Sequence, residues 1–316
     1  MKTLIVGLGV QGNKRQFFAN SDFVAGVDPD NPKAHYAHVQ QVPLTDYDAA
    51  LVCVPDEPKH EIIRYLLTQG KHVLVEKPLW TPRREQLFEL DALAQQKNLV
   101  LYTAYNHRFE PHIQEVSKHL RENQLGRLYR CRLFYGNGTA KLVNGTWRDH
   151  GGGVLTDLCC HLLDLVDYWF KQRDTNYVCA SAERHENQSP DHVVVFNENK
   201  IPRKINIQLE MSLLAWRNTF ACDIIGEKGS LHINSLCKWG PSQLIYRQRV
   251  FPSGRPIEKS TTLIQTDPTW ELEYRHFISL IETKQPTHLE KDIWIYDQLH
   301  RLTNEALGEV ECAQSQ

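Results

Sequence analysis

The chain begins with a short apolar run that leads directly into a glycine-rich turn. Thr3–Val6 is followed by the sequence GLGVQG at residues 7–12, and a helical pattern continues after it. In this position Gly7 permits a tight turn, Gly9 lets the backbone approach a pyrophosphate, and Gly12 allows a helix to pack closely on the strand. The spacing therefore predicts the first strand, turn and helix of a Rossmann dinucleotide-binding domain.

The same turn opens a helix whose first backbone amides include those of Val10 and Gln11. Free N–H groups and a partial positive charge at a helix N-terminus favour the phosphates of a bound cofactor. Asp28 ends the predicted second strand, 16 residues beyond Gly12, and its carboxylate can accept hydrogen bonds from the adenosine ribose. Because that carboxylate would repel a 2′-phosphate, we expect NAD to be preferred over NADP.

Two alternatives remain for this part of the chain. The segment from Asp28 to Asp30 could be only a turn, with Asp30 or Asn31 capping the next helix. Lys14 and Arg15 follow the glycine turn, and they leave NADP binding conceivable.

Short apolar runs alternate with longer amphipathic segments in the first third of the chain. The candidate strands are residues 3–6, 23–27, 49–54, 73–75 and 99–105. They are rich in β-branched residues and nearly continuous in apolar character, as expected for strands covered on both faces. A helix over 61–69 ends at Gly70, and another opens at Thr81-Pro82 and runs to about residue 97. This alternation predicts a parallel, doubly wound sheet.

The pattern changes after residue 122, where strand-like segments follow one another. These segments are residues 128–135, 193–196, 205–209, 220–225 and 231–233. One helix, over 154–170, interrupts them, and helices over about 270–282 and 292–307 close the chain. We therefore predict an α/β fold with a Rossmann NAD-binding domain at 1–122 and an α+β domain at 123–316. The second domain would have a large open, mainly antiparallel sheet for substrate binding and oligomerisation, and its last helices could pack back on the first domain.

Composition argues against several classes of partner. The net charge of −2, from 36 basic and 38 acidic residues, gives no support for binding to nucleic acid or to an acidic membrane. No segment approaches the roughly 20 apolar residues of a membrane helix, and the first residues do not resemble a signal peptide, so we expect a cytoplasmic protein. The eight cysteines form no C-x-x-C pair, and we expect reduced thiols and no metal site.

A lysine follows the predicted fourth strand. The apolar run at 72–75 delivers Glu76, Lys77 and Pro78 to the carboxyl edge of the sheet, where open α/β sheets bind their ligands. Pro78 restrains the backbone after the lysine, and strand alternation sends the Glu76 side chain to the other face. Lys77 is therefore a candidate catalytic and substrate-binding residue, with a solvated surface lysine as the alternative.

A second candidate lies on the helix after the triple glycine at 151–153. Asp157 and His161 are spaced i, i+4, which places them on one helix face. The carboxylate could orient the imidazole and stabilise its protonated form, so the pair suits acid–base chemistry. The alternatives are an ordinary surface pair and, less favoured, two metal ligands.

Polar residues elsewhere could complete the site. Asn106 follows the fifth strand and could bond the substrate or the nicotinamide ribose, whereas the adjacent His107 is more typical of a packing or surface histidine. Arg148 and Trp147 precede the triple glycine. They could contact an anionic substrate group or simply stack on each other at the surface.

Four motifs, in this order, resemble the glucose-fructose oxidoreductase, inositol dehydrogenase and rhizopine catabolism (Gfo/Idh/MocA) family. They are the glycine turn at 7–12, EKP at 76–78, NHRF at 106–109 and GGGVLTDLCCH at 151–161. The resemblance covers nearly the whole chain and implies a Rossmann domain followed by an open-sheet α/β domain. One departure is Cys159-Cys160, where many relatives carry glycine or another small residue.

The resemblance also implies roles for the candidate residues. Lys77 and His161 would be catalytic, with Asp157 assisting, and the same three residues would contact the substrate. We further expect cofactor contacts from four residues outside the glycine turn: Pro55, Glu76, Lys77 and Asn106.

These features predict reversible NAD-dependent oxidation of a sugar secondary alcohol. The length of the chain and the short lead into the glycine turn resemble nucleotide-sugar 3-dehydrogenases of bacterial surface-glycan and lipid A pathways. The best single substrate prediction is UDP-N-acetylglucosamine, oxidised at C3 ahead of a partner aminotransferase. Arg148, Lys141 and Arg217 are candidate diphosphate contacts.

Other functions stay open. The substrate could be another nucleotide sugar, a free sugar or an inositol, or the enzyme could run as an NADPH-dependent reductase. The chain could instead be a non-catalytic NAD(P)-sensing regulator or a metal-dependent enzyme. An exposed sheet face needs covering, so we expect a homodimer or homotetramer.

Overall fold

The computed structural model describes residues 1–146, 148–198 and 204–314, which form two compact units. Unit 1 comprises Met1–Asn106 and Pro268–Tyr296. Unit 2 comprises His107–Asp267 and the chain from Asp297 onward.

Unit 1 contains a five-stranded sheet in the order β2-β1-β3-β4-β5. The strands are β1 (Thr3–Val6), β2 (Phe23–Val27), β3 (Ala49–Val52), β4 (His72–Glu76) and β5 (Leu101–Ala104). All four pairings are parallel, which confirms the predicted sheet. The register pairs Val6 with Val27 and Val52, and Val52 with Val75. The residues after these strands therefore emerge at one carboxyl edge.

Helices flank this sheet on both faces. They are α1 (Val10–Ala19), α2 (Asp56–Thr68), α3 (Glu85–Gln96), α7 (Thr269–Glu282) and the start of α8 (Glu290–Gln314). Between β2 and β3 the chain forms turns and one short 3₁₀ turn, Val39–Gln41, with no α-helix. The alternative in which Asp30 or Asn31 caps a following helix is therefore wrong.

Alternate residues of the strands enter two separate cores, because successive side chains point to opposite faces. On β1, Leu4 and Val6 pack in a core with residues of α2 and α3, such as Ile63. Ile5 packs in the other core with Phe277 of α7. The burial of both faces explains the nearly continuous apolar runs in the sequence.

Unit 2 contains an eight-stranded sheet in the order β13-β12-β11-β10-β6-β9-β8-β7. The strands are β6 (Leu128–Gly136), β7 (Tyr177–Glu183), β8 (His192–Asn197), β9 (Asn206–Ser212), β10 (Thr219–Gly226), β11 (Gly229–Asn234), β12 (Ser242–Val250) and β13 (Gly254–Leu263). Only the β6–β9 pairing is parallel among these strands, so the predicted mainly antiparallel sheet is confirmed. β7, β12 and β13 were not predicted, and β13 is almost entirely exposed.

Helices of unit 2 cover one face of that sheet, and alternate residues of β10 are buried accordingly. They are α4 (Pro111–Arg121), α5 (Ala140–Val143), α6 (Cys160–Phe170) and the remainder of α8. A π-helical turn, Leu155–Cys159, leads into α6. The predicted helix over 154–170 is thus present, but its first turn is wider than an α-helical turn. Across the described ranges, no helix has both the length and the apolar composition needed to cross a membrane.

Candidate active site

The glycine turn of unit 1 combines two crowded glycines with one that faces open space. Gly7 has a φ of +91°, and a Cβ added there would lie 2.6 Å from the carbonyl oxygen of Cys53. A Cβ on Gly12 would lie 1.8 Å from the carbonyl oxygen of Gly7. A Cβ on Gly9 would meet no atom within 4 Å. Gly7 and Gly12 are therefore required by the fold, whereas the space at Gly9 fits the approach of a pyrophosphate.

The start of α1 and the end of β2 frame this turn. The first helical hydrogen bond runs from the Asn13 amide to the Gly9 carbonyl at 3.0 Å, so the amides of residues 10–12 precede it. Asp28 follows β2, and its Oδ2 accepts a hydrogen bond from the Leu8 amide at 2.8 Å. Its Oδ1 accepts from the Asp30 amide at 3.0 Å. Since each carboxylate oxygen has a second lone pair, Asp28 can anchor the turn and still accept from a ribose hydroxyl.

Arg15 lies in the interior of unit 1. Its side chain is 2% exposed, and its Nη2 lies 2.7 Å from Oε1 of Glu76 and 2.7 Å from Oε2 of Glu273. Burial opposes its charge, but the two carboxylates outweigh burial and raise the pKa of Arg15. The ammonium of Lys14 and the guanidinium of Arg15 both lie over the Trp270 ring. Because its guanidinium is engaged by two carboxylates, Arg15 gives no support to NADP binding.

Three more predicted residues lie at or near the carboxyl edge of the unit 1 sheet. Lys77 directly follows β4, is half-buried, and is joined to Pro78 by a cis peptide bond. Pro55 precedes α2 as its N-cap residue. Asn106 is buried, and its Nδ2 donates to Oγ1 of Thr269 at 2.9 Å. The catalytic role of Lys77 and the alternative of a solvated lysine both stay predictions.

In unit 2, His161 is buried against a second histidine. Its side chain is buried, and its ring stacks on that of His107 with centroids 4.1 Å apart and 28° between the planes. The ring of Tyr135 is tilted against both imidazoles. His161 is therefore not part of an ordinary surface pair. The expectation that His107 is a packing histidine fits its burial, and the residue it packs on is the predicted catalytic histidine.

A lysine contacts the Nε2 edge of the His107 ring. Nζ of Lys238 lies 2.9 Å from Nε2 of His107, so an ammonium there donates to an unprotonated ring nitrogen. Lys238 also lies over the rings of Tyr135 and Trp239. Burial, and then the negative charge of Asp157, raise the pKa of Tyr135.

Asp157 lies in the π-helical turn that precedes His161, and its carboxylate accepts a hydrogen bond from the Arg148 guanidinium. The structure thus pairs a residue predicted to contact substrate with one predicted to assist catalysis. Trp147, the third residue predicted in this segment, lies outside the described residues.

The remaining predictions from composition concern cysteines and metals. Cys159 and Cys160 are both buried. Burial, followed by the neighbouring thiols, raises the pKa of Cys159. Within the part of the chain that the structure describes, no cluster of three or more His, Cys, Asp or Glu residues could hold a metal ion.

The burial of Lys59 and Arg15 and the contact of Lys238 with His107 were not predicted from the sequence. The helical pattern of the sequence contained a signal for Lys59 and Arg15. Lys59 occupies the buried stripe of α2 with Ile63 and Leu66, and Arg15 occupies that of α1. A cation at such a position must be paired in the folded protein. Lys238 carried no comparable signal.

Comparison with known proteins agrees with this architecture. The family model of the NAD-binding Rossmann fold of the GFO_IDH_MocA oxidoreductase family matches residues 1–105. The model of the C-terminal alpha/beta domain of the same family matches residues 117–290. A trans-1,2-dihydrobenzene-1,2-diol dehydrogenase of Xenopus laevis is 26% identical over 214 residues, which are 68% of this chain and 63% of that protein. This chain spans 63% to 64% of the length of the first curated relatives it matches.

Two solved structures illustrate the likeness of the fold. Levoglucosan dehydrogenase in complex with NADH has a TM-score of 0.83 at 17% identity, covering 98% of this chain and 97% of that chain. UDP-N-acetylglucosamine 3-dehydrogenase from Acidithiobacillus ferrooxidans has a TM-score of 0.78 at 16% identity, covering 96% and 97%. At these identities the similarity shows the fold alone. The two family matches together show that the chain belongs to the Gfo/Idh/MocA oxidoreductase family, with an NAD-binding Rossmann domain followed by an α/β domain.

Proposed function

We propose that this protein is an NAD-dependent dehydrogenase that oxidises a secondary alcohol of a sugar. The observation that carries the proposal is the buried, stacked position of His161, in a chain whose other unit is an NAD-binding domain. A buried imidazole held by ring stacking is suited to moving one proton in a fixed direction. Membership of an oxidoreductase family supports redox chemistry but does not choose the substrate.

In the proposed reaction, His161 accepts the proton of the substrate hydroxyl. Lys77 donates a hydrogen bond to the same oxygen and stabilises the negative charge that develops there. Asp157, which accepts a hydrogen bond from Arg148, is assigned the role of orienting the His161 ring. Bound NAD⁺ supplies the hydride acceptor, and the remaining cofactor contacts are assigned to the glycine turn, Asp28, Pro55, Glu76 and Asn106.

The preference for NAD can be tested at Asp28. Replacement with Asn keeps an oxygen that can accept from the Leu8 amide but removes the negative charge. We expect Asp28→Asn to bind NADP⁺ more tightly than the wild-type protein does, while Asp28→Ala also loses the anchor of the turn. The ratio of NADP⁺ to NAD⁺ dissociation constants measures this effect. An unchanged ratio in Asp28→Asn would exclude the carboxylate as the selecting group.

The proposed substrate class is a nucleotide sugar, with UDP-N-acetylglucosamine oxidised at C3 as its first candidate. Two exposed cations support this choice, Lys141 and Arg217. Lys141 lies on α5 and Arg217 on the segment that follows β9, and these two segments adjoin, since the Ala140 amide donates to the Leu213 carbonyl at 3.2 Å. Trp216, the residue before Arg217, is 98% exposed, which offers a flat surface for a base or a sugar. A 3-keto product would suit a partner aminotransferase.

A panel of alcohols tests the substrate class. UDP-, dTDP- and GDP-sugars, levoglucosan, free hexoses, inositol and a trans-dihydrodiol are each incubated with NAD⁺, and NADH absorbance is followed. We expect turnover with a nucleotide sugar, and a higher KM for it in Lys141→Ala and Arg217→Ala. Activity on free inositol or levoglucosan alone would contradict the nucleotide-sugar proposal. NAD binding without turnover on any alcohol would favour a regulator, and loss of activity in EDTA would favour a metal enzyme.

His161→Ala tests the proton-transfer role. We expect kcat to fall by roughly 10²- to 10⁴-fold, the usual contribution of a general base, with little change in NAD⁺ affinity. His185 is exposed and serves as the control, because His185→Ala should turn over like the wild type. If His161→Ala stays within a few-fold of the control, another group is the base.

The assembly is also a proposal. One face of the unit 2 sheet carries partly exposed alternate residues, including Phe134 of β6 and the 41%-exposed Phe196 of β8. We expect a homodimer or homotetramer to cover it, which light scattering of the purified protein would test.

A further inference from the structure

Two buried cations converge on the turn that carries Lys77. Lys59 and Arg15 come from different helices, α2 and α1, and the side chain of each is only 2% exposed. Lysine is among the residues least often buried, because removing its charge from water is costly. A buried lysine therefore needs a full set of hydrogen-bond partners in the folded protein.

Lys59 has such a set. Its ammonium donates to Oδ1 of Asp56 at 2.6 Å, to the carbonyl oxygen of Glu76 at 3.2 Å and to the carbonyl oxygen of Pro78 at 2.9 Å. An ammonium group has three N–H donors, so each is used once. The two carbonyls belong to the residues immediately before and after Lys77. One side chain therefore holds the backbone on both sides of the proposed catalytic lysine.

Arg15 holds the same turn through a side chain. Its Nε donates to Oε1 of Glu76 at 2.8 Å, and its Nη2 lies 2.7 Å from the same oxygen. Arg15 lies on α1, which begins at the glycine turn. Two helices thus hold this turn independently. Lys59 of α2 binds the backbone on both sides of Lys77, and Arg15 of α1 binds the side chain of Glu76, the residue before Lys77.

We propose that Lys59 is a positioning residue for Lys77, holding the carbonyls on both sides of it so that its ammonium meets the substrate oxygen. This inference rests on the function proposed above, because it assigns Lys59 to the same reaction. Lys59 acts through the backbone and touches neither substrate nor cofactor in this role. The EKP motif contains only the acceptors of these hydrogen bonds, and their donor, Lys59, lies outside it.

A matched control is present in the same unit. Lys71 also donates to two main-chain carbonyls, those of Leu44 at 2.6 Å and Tyr47 at 2.7 Å, away from the Lys77 turn. Lys71→Met therefore removes a similar pair of hydrogen bonds without touching the turn. If Lys59 has no effect on Lys77, Lys59→Met should keep the Lys77 exchange rate and the kcat of Lys71→Met.

The first test is amide hydrogen exchange in the full-length protein, resolved to single residues. The amides of Lys77 and Leu79 share peptide planes with the two carbonyls that Lys59 binds. We expect both to exchange faster in Lys59→Met, by about tenfold or more, and at the wild-type rate in Lys71→Met. Equal rates in the two variants would overturn the proposal, whether or not a substrate is known.

The second test is turnover with the best alcohol of the substrate panel. A misplaced catalytic group can cost about 10²-fold in rate, so we expect kcat in Lys59→Met to fall by about ten- to a hundredfold. The KM for NAD⁺ should stay within about threefold, since no cofactor contact is removed. Lys71→Met should keep the wild-type kcat. A kcat in Lys59→Met equal to that of Lys71→Met would also overturn the proposal.

Two further variants distinguish a Lys59→Met protein that does not fold from a wrong assignment of Lys77. If Lys59→Met shows no cooperative unfolding transition, Lys59→Gln replaces it, because its amide can still donate to one carbonyl and should give an intermediate loss. Wild-type exchange and kcat in Lys59→Gln would then reject the proposal. Lys77→Ala reports on the proposed function itself. If it retains turnover, the role of Lys77 is wrong, and the exchange rates still decide whether Lys59 holds the turn.

Discussion

The imidazole ring of His161 lies stacked on that of His107, with centroids 4.1 Å apart and 28° between the planes. His107 is in turn held by Lys238, whose Nζ lies 2.9 Å from its Nε2. The stack fixes the plane of the His161 ring from a residue that belongs to a different segment of the chain. We therefore expect His107 to help orient the proposed base.

Removing the ring at position 107 should impair turnover more than folding. We expect His107→Ala to lower kcat by about ten- to a hundredfold, because the His161 ring loses its fixed plane. His107→Phe keeps a flat stacking surface and should retain more activity than the alanine variant. Steady-state kinetics and NAD⁺ binding separate these effects. Equal kcat in His107→Ala and the wild type would show that the stack is dispensable.

Removal of one partner from the buried ion network around Arg15 should strongly destabilise the protein. Arg15→Met leaves the carboxylates of Glu76 and Glu273 without their counter-ion, and losing one partner of a buried pair costs about 3–5 kcal/mol. Urea unfolding measures the loss. Adding Glu273→Gln should recover part of it, because one uncompensated charge disappears.

An exposed ion pair provides the control for Arg15. Arg64 pairs with Glu61 on the surface of α2, where solvent screens the charges. We expect Arg64→Met to leave the free energy of unfolding unchanged within error. If Arg15→Met and Arg64→Met unfold at the same urea concentration, the buried network does not stabilise the fold.

Alanine substitutions at two glycines of the first turn should have different effects, one on stability and the other on NAD⁺ binding. A Cβ at Gly12 overlaps the Gly7 carbonyl, so Gly12→Ala should cost at least ~1–3 kcal/mol of stability. A Cβ at Gly9 meets no protein atom within 4 Å, so Gly9→Ala should unfold like the wild type. Gly9→Ala should raise the dissociation constant of NAD⁺ by about tenfold, which corresponds to about 1.4 kcal/mol of binding free energy. Unchanged NAD⁺ affinity in Gly9→Ala would place the pyrophosphate elsewhere.

His72 should make stability depend on pH. Burial lowers the pKa of His72, with the charge of Lys71 adding to this and that of Asp48 opposing it. Its Nδ1 accepts a hydrogen bond from the Val100 amide at 3.0 Å, which requires the unprotonated nitrogen. The unfolded chain, with a histidine pKa of about 6.5, takes up the proton first as the pH falls.

The stability contributed by neutral His72 is therefore complete above about pH 6.5 and is lost below it. His72→Asn can still accept from the Val100 amide but does not titrate. We expect the melting temperature of the wild type to fall relative to that of His72→Asn as the pH is lowered below this value. Parallel melting curves across the range would contradict this account.

Much of unit 1 followed from short-range patterns in the sequence. The glycine spacing and the apolar runs predicted five parallel strands, and all five are present because strands buried on both faces must be apolar throughout. The helix over 154–170 was predicted from its period, although the π-helical form of its first turn was not. β13 escaped prediction because an almost fully exposed edge strand needs no apolar residues.

The sequence by itself determined the strand–turn–helix cradle, the position of Lys77 after a strand and the location of His161 on a helix. Only the tertiary structure decided which side chains hold them, because those contacts join distant segments. Lys59 meets the Pro78 carbonyl 19 residues away, and Lys238 meets His107 131 residues away. Strand and helix periods act over a few residues, whereas such pairings depend on how sheets and helices pack, which no local pattern encodes.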